Sequence, residues 1–235
     1  MLRAMEKLVY LLWKRPGDPN NDVFRDRLLQ ALPAPFARHG AAQLKLAVSD
    51  SDVAAGAALH LGAHAPDALV TFWLECIQDR GPVEALIAAS AGRHAGYLVV
   101  ESQALRLVTD PAERGTRTRG FSLVGCIEPR AGLSQAEFIE RWETVHRDVA
   151  IQTQSTFSYV RNEVVRPVTK NAPPWQGVIE EGFPSEALSN PQAFYDAVGD
   201  EPKYRENLRR MIESCDAFLS LKDVDSHPMS EYRFF

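Results

Sequence analysis

Residues 132–146 read GLSQAEFIERWETVH, and this stretch predicts an amphipathic helix with an imidazole on its apolar side. Phe138, Trp142 and His146 follow one another at intervals of four residues. Each such step rotates the side chain by only about 40° on a helix of 3.6 residues per turn, so the three side chains lie nearly above one another. A titratable group is therefore expected to point towards the core, or towards a cavity within the core.

Further residues extend this helix and define its start. Ile139, Val145 and Val149 widen the apolar stripe into a face that we expect to be buried. Ser134 and Glu137 have the spacing of a capping box, in which each side chain binds the backbone N–H of the other residue. The helix is thus expected to begin directly after Ser134.

The elements around this helix are predicted from alternating apolar residues, which favour strands, and from Pro and Gly, which favour turns. The first half of the chain gives the order β-α-β-β-α-β. Its predicted elements are a strand at 7–13, a helix from about 21, a strand at 43–48, a long loop at 49–67, a strand at 68–76, a helix at 82–91 and a strand at 97–108.

The same order restarts after residues 109–119, a charged stretch with Pro and Gly that predicts a linker. The residues after Ser226 are expected either to cover a sheet edge or to fray, since chain ends are often mobile. The predicted elements are a strand at 121–127, the helix from 134, strands at 156–165 and 176–181, helices from Pro191 and Pro202, and a strand at 217–221.

The two halves share a hydrophobic pattern, which indicates an internal duplication. Each residue of the helical stripe has an apolar counterpart 114 residues earlier, namely Phe24, Leu28 and Leu32. A leucine thus stands where the second copy has its histidine. We interpret residues 1–110 and 119–235 as two copies, of which the first keeps the packing role and the second also has the polar group.

A β-α-β-β-α-β unit is ferredoxin-like, with an antiparallel sheet covered by helices on one face. The open face of each sheet needs cover, because large exposed apolar patches are unusual. Two units in one chain meet this need by packing sheet against sheet. We therefore predict an α+β fold in which two ferredoxin-like repeats form one barrel, with helices outside and a chamber in the middle.

Composition excludes several function classes. The 235 residues carry a net charge of −5, which argues against nucleic acid as a partner, because phosphate binding needs a clustered basic surface. Arg114, Arg117 and Arg119 form the densest basic cluster, and we interpret them as a solvated part of the linker because Asp110 and Glu113 lie beside them.

Cysteine usage and hydropathy predict a soluble cytoplasmic protein. The three cysteines are widely spaced and form neither a disulfide framework nor a CxxC pair. The longest apolar run near the start, Leu8 to Trp13, is too short for a secretion signal or a membrane span. We expect a monomer or a homodimer that has no membrane partner.

The second half resembles the EthD domain, a family of the dimeric α/β-barrel superfamily. The resemblance covers residues 121–224 and rests on the segment 130–134 (RAGLS), on Phe138, Trp142 and His146, and on Tyr159 and Asn162 within YVRN. The first half is similar to a degenerate copy without the histidine. The resemblance implies the barrel predicted above and a small hydrophobic molecule bound between the sheet and the helix.

His146 is the first candidate for chemistry, because an imidazole titrates near pH 6.5 and serves as base or acid at neutral pH. Trp142 and Val149 would desolvate it, which keeps it neutral as a base. The alternative is a core histidine with satisfied hydrogen bonds. Tyr159 is the second candidate, as a hydrogen-bond donor to a carbonyl or enolate; its alternative is an aromatic residue that lines the barrel.

Strand alternation separates the other candidates around Tyr159. Arg161 shares its face and would hold a carboxylate, or would form a surface ion pair with Glu163. Asn162 falls on the opposite face, so Tyr159 and Asn162 reach one site only if a bulge intervenes. Which face lines the chamber is left open.

Aromatic residues complete the expected binding site, with Phe138, Trp142 and Tyr195 as walls and Trp175 as a lid on a loop after two prolines. No metal is expected. His60 and His64 have the spacing of a zinc-binding helix, but Gly62 lies between them and no Glu follows His60. No glycine-rich phosphate loop is present, so no nucleotide cofactor is expected.

These observations lead to the hypothesis of a cofactor-independent enzyme of lyase, isomerase or cyclase type. It would act on a small hydrophobic carbonyl compound (aromatic, polyketide-like or a lactone), with His146 transferring the proton. A non-catalytic binder or accessory protein of an oxidative degradation pathway is the first alternative. A haem-linked activity through His146 is the second.

Overall fold

The computed structural model describes residues 5–62 and 65–235, and the eight strands of these residues close into one barrel. Every neighbouring pair is antiparallel, in the circular order β1-β3-β2-β8-β5-β7-β6-β4. The strands are β1 (Glu6–Trp13), β2 (Ala42–Val48), β3 (Ala68–Leu74), β4 (Arg93–Leu105), β5 (Phe121–Ile127), β6 (Ser158–Pro167), β7 (Gly177–Phe183) and β8 (Asp225–Arg233).

Helices pack on the outside of this barrel. They are α1 (Asn21–Ala31), α2 (Pro33–Arg38), α3 (Gly81–Ser90), α4 (Gln135–Arg141), α5 (Arg147–Thr153), α6 (Pro191–Phe194) and α7 (Glu201–Asp216), and a π-helical turn (Trp142–His146) joins α4 to α5. Short 3₁₀ helices lie at Ser51–Leu59, Ile77–Arg80, Pro111–Glu113, Ser185–Leu188 and Leu221–Asp223. In the described part of the chain, no helix has the length and apolarity that a membrane crossing requires.

Each half of the chain contributes four consecutive strands of the barrel, which confirms the tandem ferredoxin-like fold. β1 to β4 form the first sheet and β5 to β8 the second, and the two sheets join where β2 pairs with β8 and β4 pairs with β6. The barrel is thus complete within one chain. The exact division at residues 110 and 119 stays a prediction.

The strand that closes the second sheet differs from the predicted one. Residues 217–221 were predicted as a strand, but Phe218 and Leu219 follow α7 and pack beneath α4. The strand is instead β8, whose sequence DSHPMSEYR lacks the usual apolar alternation. Several of its buried polar side chains have polar partners: Glu231 pairs with Lys45 and Arg233, and the Ser230 hydroxyl donates to Asp50 at 2.6 Å. The residues after Ser226 therefore neither fray nor merely cover an edge, since they pair with β5 and β2.

The middle of the barrel is filled with side chains. Val9, Leu11, Val124, Val178 and Met229 belong to an inner apolar cluster to which all the strands contribute. The hydrophobic chamber that we predicted in the middle of the barrel is therefore wrong for this region, because aliphatic side chains from both sheets interdigitate there.

The predicted linker is exposed for most of its length, and its backbone is hydrogen-bonded to the barrel. Gly115 donates a backbone hydrogen bond of 2.7 Å to the Arg233 carbonyl, and Thr118 donates one of 2.7 Å to the Glu231 carbonyl. Arg117 contacts Ser230 at 2.9 Å, and the Arg119 guanidinium lies 5.3 Å from the centre of the Phe157 ring. Arg114 and Arg119 are exposed, which confirms their interpretation as solvated, whereas Arg117 is half-buried.

Met229 tests the role of β8, because its side chain is fully buried among the inner cluster. Met229→Ala should lower the free energy of unfolding by about 2–5 kcal/mol, since it leaves a cavity. Val198→Ala, at an exposed position, should change it by less than about 0.5 kcal/mol. Urea unfolding followed by circular dichroism measures both, and equal effects would show that this strand does not close the barrel.

Candidate active site

The π-helical turn determines where His146 points. Ser134 and Glu137 form the predicted capping box, and α4 starts directly after Ser134. In a regular α-helix, Phe138 and His146 would differ by about 80° in direction. The wider turn at Trp142–His146 reduces this difference and brings His146 back beneath Trp142.

Burial along the helix follows this geometry. Phe138, Trp142 and His146 are 0%, 1% and 7% exposed, as predicted. Val145 is 61% exposed, which corrects its predicted place on the buried face. The reason is the π turn, which rotates Val145 away from the sheet while it returns His146 to it.

His146 lies between the helices and the outer face of the second sheet. Its Nδ1 is 3.0 Å from Ser214 Oγ on α7, and its ring centre is 4.7 Å from that of Phe218. Burial lowers the pKa of His146 to about 4, and the positive charge of Arg161 acts in the same direction. The imidazole is therefore neutral at pH 7 and able to accept a proton.

Tyr159 lies on the same face of the sheet and is linked to the helix. The Trp142 Nε1–H donates a 3.1 Å hydrogen bond to the Tyr159 hydroxyl, which leaves the hydroxyl proton of Tyr159 free to be donated. Burial raises the pKa of this phenol, so it stays protonated. Both residues were predicted as site residues from the sequence, and the structure brings them into contact.

Arg161 is fixed beside these two residues rather than in a surface ion pair with Glu163. Its guanidinium donates to the Trp142 carbonyl at 3.2 Å and to Ser102 Oγ at 2.9 Å. Its Nε–H is buried and has no partner among the described residues. A buried donor without an acceptor is costly, which makes this atom a candidate contact for a ligand oxygen.

The two faces of β6 separate the remaining candidates. Asn162 points into the barrel, where it contacts Lys7 at 2.7 Å and Glu180 at 3.0 Å, so it does not join Tyr159. Trp175 packs against the inner apolar cluster and is not a lid over His146. The helical face of the strand is the one that carries the site.

Glu181 is a site residue that the sequence analysis missed. It lies directly opposite Tyr159 in the β6–β7 pairing, on the same face. Burial raises the pKa of its carboxyl to about 8, so Glu181 is protonated at neutral pH. Period-2 alternation along β7 places residue 181 on the outer face, but nothing in the sequence shows that β7 lies next to β6.

The layer around Tyr159 is only partly closed. Ala150 and Met211 pack against it fully buried, whereas Ile179, Tyr195 and Cys215 keep some accessible surface. Five cavities lined by described residues, including the one at the end of the barrel, do not border His146. The candidate site is thus distinct from these cavities.

No metal centre is found among residues 5–62 and 65–235, since no three His, Cys, Asp or Glu side chains converge. His60 contacts His227, with 2.8 Å between their Nδ1 atoms. His64, the second histidine of the zinc-like spacing, lies outside the described residues.

Comparisons with known proteins agree with this architecture. The sequence profile of the EthD domain matches residues 130–210. A search of curated proteins returns no match. Among solved structures, an anthrone oxidase-like protein is 7% identical, with 97% of this chain and 93% of that chain covered and a TM-score of 0.51.

A candidate monooxygenase from Fusobacterium nucleatum subsp. nucleatum is similar in the same way. It is 8% identical, with 98% of this chain and 94% of that chain covered and a TM-score of 0.50. At these identities the similarity concerns the fold alone. Residues 130–210, which carry His146, Tyr159 and Glu181, are thus similar to the EthD domain, and the eight strands of the chain close into an α+β barrel within a single polypeptide.

Proposed function

We propose that this protein is an enzyme that moves a proton next to the carbonyl group of a small, mostly apolar molecule, with His146 as the base. The observation that carries the proposal is a neutral imidazole buried in the same layer as a protonated carboxyl, that of Glu181. Pairs of groups whose environments push their pKa values apart are typical of acid–base catalysis. Between about pH 4 and pH 8, His146 is able to accept a proton while Glu181 is able to donate one.

Tyr159 and Arg161 would stabilise the oxyanion that forms when the proton leaves. The Tyr159 hydroxyl proton and the Arg161 Nε–H are both free to donate, and both lie in a buried layer where hydrogen bonds to developing charge are strong. Asn162, which was the alternative partner of Tyr159, has no part in this proposal because it faces the barrel interior.

The substrate class follows from the walls of the layer. Phe138, Trp142, Tyr195 and Phe218 are aromatic, which suits an aromatic, polyketide-like or lactone compound. Isomerisation, cyclisation, dehydration and decarboxylation all begin or end with a proton transfer next to a carbonyl group. The proposed enzyme is therefore of the lyase or isomerase type.

Proton transfer can be measured without knowledge of the natural substrate. Wild-type protein in D₂O should exchange the α-protons of aryl ketones, β-diketones or γ-lactones faster than buffer does, as followed by ¹H NMR. His146→Gln should slow this exchange by about 100-fold or more, because general-base catalysis is lost. His39→Gln, at an exposed histidine, is the matched control and should leave the rate unchanged.

Three results would contradict the mechanism. If folded His146→Gln exchanged α-protons as fast as the wild type, His146 would not be the base. Binding of the panel without any exchange would make the protein a non-catalytic binder. A Soret absorption band in the purified protein that is lost in His146→Gln would replace proton transfer by a haem-linked activity.

Glu181 should limit the reaction on the alkaline side. The wild-type exchange rate should fall above about pH 8, as the carboxyl loses its proton. Glu181→Gln keeps a hydrogen-bond donor that does not titrate, so its pH–rate profile should lack this fall, whereas Glu181→Leu should be slow at every pH. An alkaline fall that persists in Glu181→Gln would assign the limit to another group.

The neutral state of His146 predicts a pH-dependent stability. Because the folded pKa of about 4 lies below the ordinary value of 6.5, the unfolded chain binds a proton that the folded chain does not. The contribution of neutral His146 to the free energy of unfolding is present above pH 6.5 and is lost as the pH falls towards 4. Between pH 7 and pH 5, the free energy of unfolding in urea should fall by about 2 kcal/mol more for the wild type than for His146→Gln. An equal fall for the two proteins would show that folding does not lower the pKa of His146.

A further inference from the structure

One end of the barrel interior is open and polar, in contrast to its packed middle. A cavity of about 330 Å³ lies there, large enough for a small organic molecule. It lies on the inner face of the sheets, on the opposite side of β6 from His146. Its lining includes Lys7, Lys45, Thr71, Trp73, Glu101 and Arg233.

The floor of this cavity is a charge-balanced network. Lys7 is 2% exposed and forms ion pairs with Glu101 and with Glu180, the latter at 3.4 Å. Lys45 is 8% exposed and pairs with Glu180 and, at 3.6 Å, with Glu231.

Arg233 completes the network, with its Nε 2.6 Å from a Glu231 oxygen. Three cations thus face three acids, and together the pairs neutralise the floor. Attraction between neighbouring Lys45 and Glu180 lowers the pKa of the Glu180 carboxyl to about 2 despite its burial, so this acid stays ionised.

The rim adds positive charge that the floor does not balance. Arg106 and Arg114 line the same cavity, and neither guanidinium has an ion-pair or hydrogen-bond partner among the residues described. Asp110 and Glu113 lie on the same segment but are not lining residues, and the Asp110 carboxylate accepts a hydrogen bond from the Ala112 N–H. The opening therefore has an excess of two guanidinium charges.

The backbone next to Arg114 is held in position. The backbone N–H of Gly115, next to Arg114, donates to the Arg233 carbonyl at 2.7 Å, and Thr116 Oγ1 donates to the Glu113 carbonyl at 2.6 Å. Arg114 is thus anchored at the rim next to the end of β8. An ordered cation is a better binding group than one on a mobile loop, because less entropy is lost on binding.

Part of the cavity wall is apolar. Trp73, Phe234 and Phe235 present aromatic rings, and Val160 lines the same cavity. The Phe234 backbone N–H donates to the Leu44 carbonyl at 3.0 Å, which fixes this segment beside β2. The cavity therefore combines an aromatic wall with a cationic mouth.

We propose that this end of the barrel binds a small aromatic carboxylate. Its carboxylate would lie between Arg106 and Arg114, and its ring would pack against Trp73 and Phe234. Guanidinium groups bind carboxylates through paired hydrogen bonds, and aromatic walls supply apolar area for the ring. The site is separate from the proposed function of His146, because the sheet lies between the two.

A monoanion suits this cavity better than other charge states. A cation would be repelled by the two rim arginines. A dianion such as a phosphate monoester would lose more hydration free energy than a carboxylate on entering the cavity, because the cost of removing an ion from water grows with the square of its charge, whereas its attraction to the arginines grows only linearly. Benzoate, benzamide and phenyl phosphate are therefore suitable probes, since they share the ring and differ in charge.

Isothermal titration calorimetry with the full chain tests the proposal. Benzoate should bind at least about tenfold more tightly than benzamide, because only benzoate is charged. The double variant Arg106→Gln/Arg114→Gln should lose this preference, and so should Gln103→Glu, which adds a negative charge at an exposed lining position. Arg38→Gln/Arg205→Gln removes two exposed arginines elsewhere and should bind benzoate as the wild type does.

Three outcomes would overturn the proposal. They are equal affinity for benzoate and benzamide, unchanged benzoate affinity in the Arg106→Gln/Arg114→Gln variant, and tighter binding of phenyl phosphate than of benzoate, which would assign the site to phosphate esters. Loss of benzoate binding in His146→Gln with retention in the rim variant would place the carboxylate in the layer beneath the helices instead.

Discussion

The pairing of β8 with two strands from different halves of the chain is the constraint on which the rest of the structure depends. Its first residues pair with β5 and its last residues pair with β2, so that the two sheets share one continuous set of hydrogen bonds. Without this pairing, both sheets would have an open edge and a half-exposed inner face. Closure buries the inner apolar cluster and, at one end, a network of charged side chains that no isolated sheet would bury.

Strand alternation then divides the functions of the molecule between two faces. Along β6, Tyr159 and Arg161 face the helices, whereas Val160 and Asn162 face the interior. On the outer face, which has few charges, burial lowers the pKa of His146 and raises the pKa of Glu181. The inner face balances its charges by pairing. As we propose, one sheet thus supports a site for proton transfer on one side and a site for anions on the other.

The sequence predicted what depends on local pattern. The order of elements, the capping box at Ser134 and the burial of Trp142 and His146 follow from spacing alone. The missed features depend on contacts between distant segments. β8 was missed because its polar side chains are buried only through partners such as Lys45, and Glu181 was missed because its environment is set by the pairing of β7 with β6. The exposure of Val145 follows from a π turn that no local rule places.

Fusion of two units has a consequence for the symmetry of the interior. In a barrel formed by two identical subunits, every inward-facing charge occurs twice about a twofold axis. In the ion pairs that cross the join, Lys7 and Lys45 come from the first half, while Glu180 and Glu231 come from the second. These opposite charges meet because the two halves are free to differ in sequence, so a homodimer of either half is unable to form these pairs.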